Sequence, residues 1–123
     1  MYSIGVFSTG RGQGSRGLLR SLHNAIRSGH ITAEISFVFS NRDQGEFETT
    51  DKFFDDIRGY GYPLITSSFR KYRTALRDDP QWRQKYELDA LGLLESHKVD
   101  LCLLAGFLLW VPEMCQRYTM MNL

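Results

Sequence analysis

The chain has 123 residues, of which 42% are hydrophobic, and a formal net charge of +1 at pH 7. This is the length of one ordinary domain with its own core, and the near-neutral charge argues against broad attraction to nucleic acid or to a membrane surface. The two cysteines have no metal-ligand or disulfide spacing, and the N-terminus lacks a secretion signal, so we expect a cytoplasmic protein with reduced thiols and no metal site. The longest apolar run, Val99 to Val111, is too short to span a bilayer.

The first recognisable unit is an apolar run, a glycine-rich loop and a segment of helical periodicity. Ile4 to Ser8 is typical of a buried strand, and a helix is predicted from about Ser15 to Ser28. Backbone N–H groups of a glycine loop and of a helix start converge on one point, which favours binding of an anion such as phosphate. The sequence therefore predicts a phosphate site, with Arg16 as a supporting cation, on the residues Gly10, Arg11, Gly12, Gln13, Gly14 and Ser15. A tight turn in which the glycines only permit close packing is the alternative.

A second strand, Ile35 to Ser40, is followed by Asn41 and Arg42. Residues at the carboxyl end of a parallel strand face the crevice where ligands bind, so these two are candidates for a second ligand contact or for an ordinary polar turn. Thr50 or Asp51 could cap the short helix that follows.

The rest of the chain continues the alternation of strands and helices. We predict an edge strand at residues 62–65, a solvated helix or loop at 67–79 rather than a nucleic-acid patch, and a helix at 80–98 with Leu93 on its packed side. A buried strand at 100–105, a short helix at 112–118 and the start of a fifth strand at 119–123 follow. This pattern predicts a single α/β domain, residues 1–123, with a Rossmann-like three-layer fold and a mostly parallel sheet.

The last residues are strand-like and follow a helix without any turn signal. A buried strand at the end of a chain leaves apolar surface uncovered and a sheet edge open. We therefore expect the chain to be part of a larger domain.

Several segments together carry a family resemblance. Leu103-Leu104-Ala105-Gly106-Phe107, Val111-Pro112, Met120-Met121-Asn122-Leu123 and Val38-Phe39-Ser40-Asn41-Arg42 resemble the folate-dependent formyltransferases, in particular the phosphoribosylglycinamide formyltransferase type of purine synthesis. The resemblance covers essentially the whole chain and implies a truncated fold of the formyltransferase N-terminal type. It implies transfer of a formyl group from 10-formyltetrahydrofolate to the amine of a phosphorylated small molecule, without a metal, and leaves a homodimer open.

The resemblance also implies roles for particular residues. Asn122 matches the catalytic asparagine that polarises the formyl carbonyl, and the family's histidine and aspartate would lie beyond Leu123, so the chain alone is expected to be inactive or nearly so. The folate is implied to bind at Phe107, Leu108, Leu109, Trp110 and Val111. This loop lacks the family's basic residue near Leu109, and the glycine loop is about two residues longer, which indicates a formyltransferase-like relative.

Two other functions fit the same pattern. Gly12 to Gly17 matches G-x-G-x-x-G between a strand and a helix, and Ser40-Asn41-Arg42 could accept the 2′-phosphate of NADP, so an NADP- or nucleotide-binding module without formyl transfer is the first alternative. A non-catalytic sensor of a sugar phosphate or nucleotide at the same corner is the second.

Overall fold

The computed structural model describes residues 1–107, 109 and 111–123. Within these residues the strands are β1 (Tyr2–Phe7), β2 (Ala33–Ser40), β3 (Leu64–Thr66), β4 (Leu101–Leu104) and β5 (Met120–Asn122). The helices are α1 (Gln13–Arg27), α2 (Glu48–Tyr60), α3 (Phe69–Ala75), α4 (Trp82–Leu94) and α5 (Pro112–Arg117).

The strands form one parallel sheet in the order β3-β2-β1-β4-β5. Apolar side chains of α1 and α2 pack on one face of the sheet, and those of α4 and α5 pack on the other. β1 and β2 lie in the middle and are almost entirely buried, which explains their continuous apolar runs. The predicted α/β, Rossmann-like fold with a parallel sheet is therefore confirmed.

The aromatic cluster beneath the sheet's carboxyl edge fixes the positions of the loops above it. Phe7 lies in van der Waals reach of three other rings, with centroid distances of 5.8 Å to Phe37, 5.3 Å to Phe39 and 5.6 Å to Phe107. All four side chains are at most 3% exposed. The ends of β1, β2 and β4 therefore rest on one rigid platform.

Some predicted boundaries were wrong. α2 begins at Glu48 with Phe47 at its N-cap position, so neither Thr50 nor Asp51 caps it. Thr50 is instead fully buried, and its hydroxyl donates to the carbonyl oxygen of Gly10. α4 ends at Leu94 rather than Lys98, and Leu93 is 51% exposed instead of packed. A local sequence pattern does not show at which residue the fold ends a helix, or which face of the helix packs against the sheet. These predictions were wrong for that reason.

Candidate functional site

The glycine loop leaves the carboxyl end of β1 and is held by contacts that its sequence does not reveal. The Gly10 N–H donates to Ser8 Oγ at 3.2 Å, and the Thr9 N–H donates to the Gly106 carbonyl at 3.2 Å. Gly10 has φ +71° and packs so closely on Phe53 that a Cβ there would lie 2.5 Å from the ring. Both the backbone conformation and the close packing at this position therefore require glycine.

The next part of the loop is open. Gly12 is the N-cap residue of α1 in an extended conformation, and no side chain caps the helix. A Cβ at Gly12 or Gly14 would meet nothing within 4 Å among the described atoms, and the first turn carries no acidic residue. The first N–H groups of α1 have no intrahelical acceptors, so they can meet an anion from outside.

The two arginines near the loop differ in what they contact. Arg16 forms a two-pronged ion pair with Asp56, with N–O distances of 2.6 and 3.0 Å. The hydrogen bond that Arg16 donates to Asp56 raises the pKa of Arg16, and the charge of Arg16 is compensated within the protein. Arg16 nevertheless lines a small cavity with Gly12 and Gln13, so its support of the phosphate site stays a prediction. Arg11 is exposed at the mouth of the loop.

Asn122 lies on the same edge of the sheet as this loop. Phe7, the last residue of β1, pairs with Leu104 on β4, and Leu104 pairs with Asn122 on β5. The three residues are level in register, so the glycine loop and Asn122 both follow the carboxyl ends of strands that are two strand spacings apart, about 10 Å. Asn122 is exposed and is the last residue of β5. The predicted phosphate loop and the predicted carboxamide thus lie at one edge of the sheet, and their meeting in one crevice stays a prediction.

In the segment expected to bind folate, one described residue packs in the core and two others line a cavity. Phe107 is buried and packs against Phe7 and Phe39, and its expected contact with the folate stays a prediction. Leu109 and Val111 line a cavity of about 260 Å³. Leu108 and Trp110, the other two predicted residues, lie outside the described residues.

This cavity lies between the segment expected to bind folate and α4, and both apolar and polar side chains line it. Its apolar lining includes Phe69, Pro80 and Tyr86, and its polar lining includes Arg83, Gln84 and Glu87. Glu87 is 4% exposed, and its Oε1 accepts the Met114 N–H at 2.9 Å. Burial raises the pKa of Glu87, and burial also raises that of Tyr86, whose hydroxyl donates to the Ser67 carbonyl at 2.6 Å.

Asn41 and Arg42 hold the glycine loop from the side of β2. Thr9 Oγ1 donates to Asn41 Oδ1 at 2.8 Å, and Arg42 Nη1 donates to Thr50 Oγ1 at 2.9 Å. Because Thr50 Oγ1 also donates to the Gly10 carbonyl, Arg42 is linked to the loop through one side chain. Sequence reasoning missed the supporting roles of Thr9 and Thr50, since a lone threonine in a loop or helix carries no distinguishing signal.

The cysteines and the metal-ligating types of side chain are also candidates for a site among the described residues. Cys102 is buried, which raises the pKa of its thiol to about 12, and Cys115 is exposed; both are free thiols. Over the described ranges, no three His, Cys, Asp or Glu side chains are grouped so that they could hold a metal ion. No helix in that part of the chain has the length and apolar character needed to cross a membrane.

No protein-family model and no curated protein matches the sequence. Solved structures that are similar to the chain include the following two. The chain superimposes on glycinamide ribonucleotide transformylase 1 from Symbiobacterium toebii with a TM-score of 0.74 at 22% identity, over 99% of this chain and 50% of that one. It superimposes on a formyltetrahydrofolate deformylase from Pseudomonas putida KT2440 with a TM-score of 0.67 at 17% identity, over 98% of this chain and 37% of that one.

These likenesses establish the fold, and both proteins belong to the kind of enzyme that the sequence resembles. The chain spans half the length of the transformylase and a smaller share of the deformylase. It therefore has the α/β fold of the formyltransferase N-terminal type, over about half the extent of such an enzyme.

Proposed function

We propose that this chain takes part in transfer of a formyl group from 10-formyltetrahydrofolate to the amine of a phosphorylated small molecule similar to phosphoribosylglycinamide. The observation that carries the proposal is the register of β1, β4 and β5, which puts the strand ends next to the glycine loop and Asn122 at one edge of the sheet. The names of two similar enzymes, a glycinamide ribonucleotide transformylase and a formyltetrahydrofolate deformylase, both support chemistry at a formyl group, and the first also supports a phosphorylated amine as acceptor. Of these two enzymes, only the transformylase supports a role in purine synthesis.

In this proposal the glycine loop positions the acceptor. The phosphate accepts hydrogen bonds from the first N–H groups of α1, and Arg11 adds a positive charge at the mouth of the loop. The ends of β1 and β5 are about 10 Å apart, which leaves room for the body of the substrate between phosphate and amine. The amine then lies near the end of β5.

Asn122 acts on the reacting carbonyl. When the amine attacks the formyl carbon, a C–N bond forms and negative charge develops on the formyl oxygen. The Asn122 side-chain N–H donates to that oxygen and stabilises the charge as it forms, which is the role of an oxyanion-hole donor. The bond between the formyl carbon and the donor nitrogen of 10-formyltetrahydrofolate then breaks. That nitrogen leaves with the bonding electron pair and takes up the proton that the attacking amine loses.

The cavity beside α4 suits the donor. Leu109, Val111 and Tyr86 give it flat apolar walls, while Arg83 and Gln84 offer hydrogen-bond donors at its rim. A ligand with an aromatic ring and a polar tail is the kind that such a lining favours. Because Leu109 follows β4, the strand between β1 and β5, the donor would approach Asn122 from the neighbouring loop.

The NADP-binding alternative has one observation in its favour and one against it. The sheet order around β1 is that of a doubly wound dinucleotide fold. However, the third glycine of that motif serves close packing of helix on strand, and a Cβ at Gly17 would meet nothing within 4 Å among the described atoms. The glycine pattern is thus better explained by the open loop than by dinucleotide binding.

The test is calorimetric titration of the chain with three ligands. We expect glycinamide ribonucleotide to bind at least about tenfold more tightly than its dephosphorylated nucleoside, because charge-assisted hydrogen bonds to phosphate contribute roughly 1.5 to 3 kcal/mol each. NADPH serves as the competitor from the alternative function. Tighter binding of NADPH than of the ribonucleotide, or equal binding with and without phosphate, would contradict the proposal.

A further inference from the structure

A second cavity, of about 190 Å³, lies at the carboxyl end of β2, beside the glycine loop. Three arginines from two separate segments line it: Arg42 directly after β2, and Arg70 and Arg73 on α3. Arg70 and Arg73 are three residues apart and so share one face of their helix. Their grouping with Arg42 concentrates positive charge around one small space.

Arg42 is held firmly on one side of this cavity. Its guanidinium lies 3.7 Å from the centroid of the Phe47 ring, and its Nη1 donates to Thr50. Burial lowers the pKa of Arg42, and the charge of Arg11 lowers it further, against the opposing effect of Glu46. Because a guanidinium stays charged in proteins, the crowding of positive charge would be relieved by an anion.

Glu46 provides a carboxylate at the same cavity. Its side chain is 3% exposed, and its Oε1 accepts the Asp43 N–H at 2.7 Å. The second oxygen, Oε2, lies 3.5 Å from Arg70 Nε but accepts no hydrogen bond from any described residue. A buried carboxylate oxygen without a hydrogen-bond donor is costly, so a ligand hydroxyl placed there would be favoured.

We propose that this cavity binds a sugar phosphate, with its phosphate on Arg42, Arg70 and Arg73 and a sugar hydroxyl donating to Glu46 Oε2. A phosphate monoester carries nearly two negative charges and three acceptor oxygens. It therefore pairs with several guanidinium groups better than a ligand with one carboxylate would. A free sugar phosphate and the 2′-phosphate of a dinucleotide share this chemistry. The site is separate from the glycine loop and does not depend on formyl transfer.

The first test compares two arginines on the same part of the surface. Arg73→Gln removes a cavity-lining charge, and Arg77→Gln removes an exposed charge that does not line the cavity. By calorimetry with ribose 5-phosphate, we expect Arg73→Gln to weaken binding about tenfold or more and Arg77→Gln to weaken it less than about twofold. Both side chains are exposed, so both variants should fold, which circular dichroism checks. Equal effects of the two changes, or wild-type binding weaker than about 1 mM, would overturn the proposal.

Glu46→Gln tests the hydroxyl contact by comparing ribose 5-phosphate with inorganic phosphate. Removing the carboxylate should tighten binding of inorganic phosphate, because a negative charge near the arginines is lost. The advantage of ribose 5-phosphate over inorganic phosphate should shrink, because the strong acceptor for the hydroxyl is lost. An unchanged ratio of the two affinities would contradict the role of Glu46.

Gly12→Val then shows which of the two sites binds the phosphate, and NADP⁺ shows which kind of ligand carries the phosphate. Binding of ribose 5-phosphate that survives Gly12→Val supports the β2 cavity, and its loss would place the phosphate on the glycine loop instead. If NADP⁺ binds more tightly than ribose 5-phosphate and is weakened equally by Arg73→Gln, a dinucleotide is the source. If NADP⁺ binds no more tightly but still depends on Arg73, a free sugar phosphate is the source.

Discussion

Gly10→Ala is expected to lower the free energy of unfolding by about 2 to 5 kcal/mol. The left-handed backbone at Gly10 costs a residue with a Cβ roughly 1 to 2 kcal/mol, and forcing extra atoms into a packed site costs about 1 to 3 kcal/mol more. The second cost applies because the new Cβ would lie 2.5 Å from the fully buried ring of Phe53. Urea unfolding followed by circular dichroism measures the change.

Gly17→Ala is the matched control for this prediction. It adds the same methyl group in the middle of α1, where a Cβ meets nothing within 4 Å among the described atoms. It should raise stability by roughly 0.5 to 1 kcal/mol, because alanine is the better helix former. A Gly10→Ala variant as stable as the wild type would mean that the glycine loop is not held against α2 in the way described here.

Gly12→Val is expected to reduce the affinity for glycinamide ribonucleotide by about 100-fold or more while the fold persists. The branched side chain would stand in the open space in front of the first N–H groups of α1 and block two or more charge-assisted hydrogen bonds. Gly12 has φ 174°, an extended conformation open to any residue, so the expected loss of stability is that of a poorer N-cap, about 1 kcal/mol. Calorimetric titration measures the affinity, and urea unfolding measures the stability.

Here too Gly17→Ala is the control, since it should leave the affinity within about twofold of the wild type. Unchanged affinity in Gly12→Val would mean that the phosphate does not bind at the helix start. A collapse of stability in that variant would mean that the loop is packed at Gly12 rather than open. The two loop glycines thus have opposite expected roles: Gly10 serves the fold and Gly12 serves the ligand.

Much of the fold was predictable because it follows local patterns. The runs at 4–8 and 35–40 lack alternation, which indicates strands covered on both faces, and alternation of strands with helices restricts the sheet to parallel crossovers. Once the sheet is parallel, the ends of all strands share one edge, so the placement of the glycine loop and Asn122 at that edge follows from topology alone.

The interactions between distant side chains were not predictable in this way. Arg16 has the position of a phosphate-binding cation, yet Asp56, forty residues away, neutralises it. Arg42 and Arg73 belong to segments that each resemble an ordinary polar surface, and only the folded chain brings them to one cavity. Periodicity and spacing describe one element at a time, whereas ion pairs and cavities depend on how elements pack.

The most direct test of the account is a nuclear magnetic resonance titration of the chain, labelled with ¹⁵N, with glycinamide ribonucleotide and a non-reactive analogue of 10-formyltetrahydrofolate. The account predicts that the backbone amide signals of Gly12, Gln13 and Gly14 shift with the ribonucleotide. It also predicts that the side-chain amide signals of Asn122 shift when both ligands are present. Shifts at the glycine loop with no response from Asn122, or shifts confined to the cavity at Arg73, would contradict a shared reaction centre at this edge of the sheet.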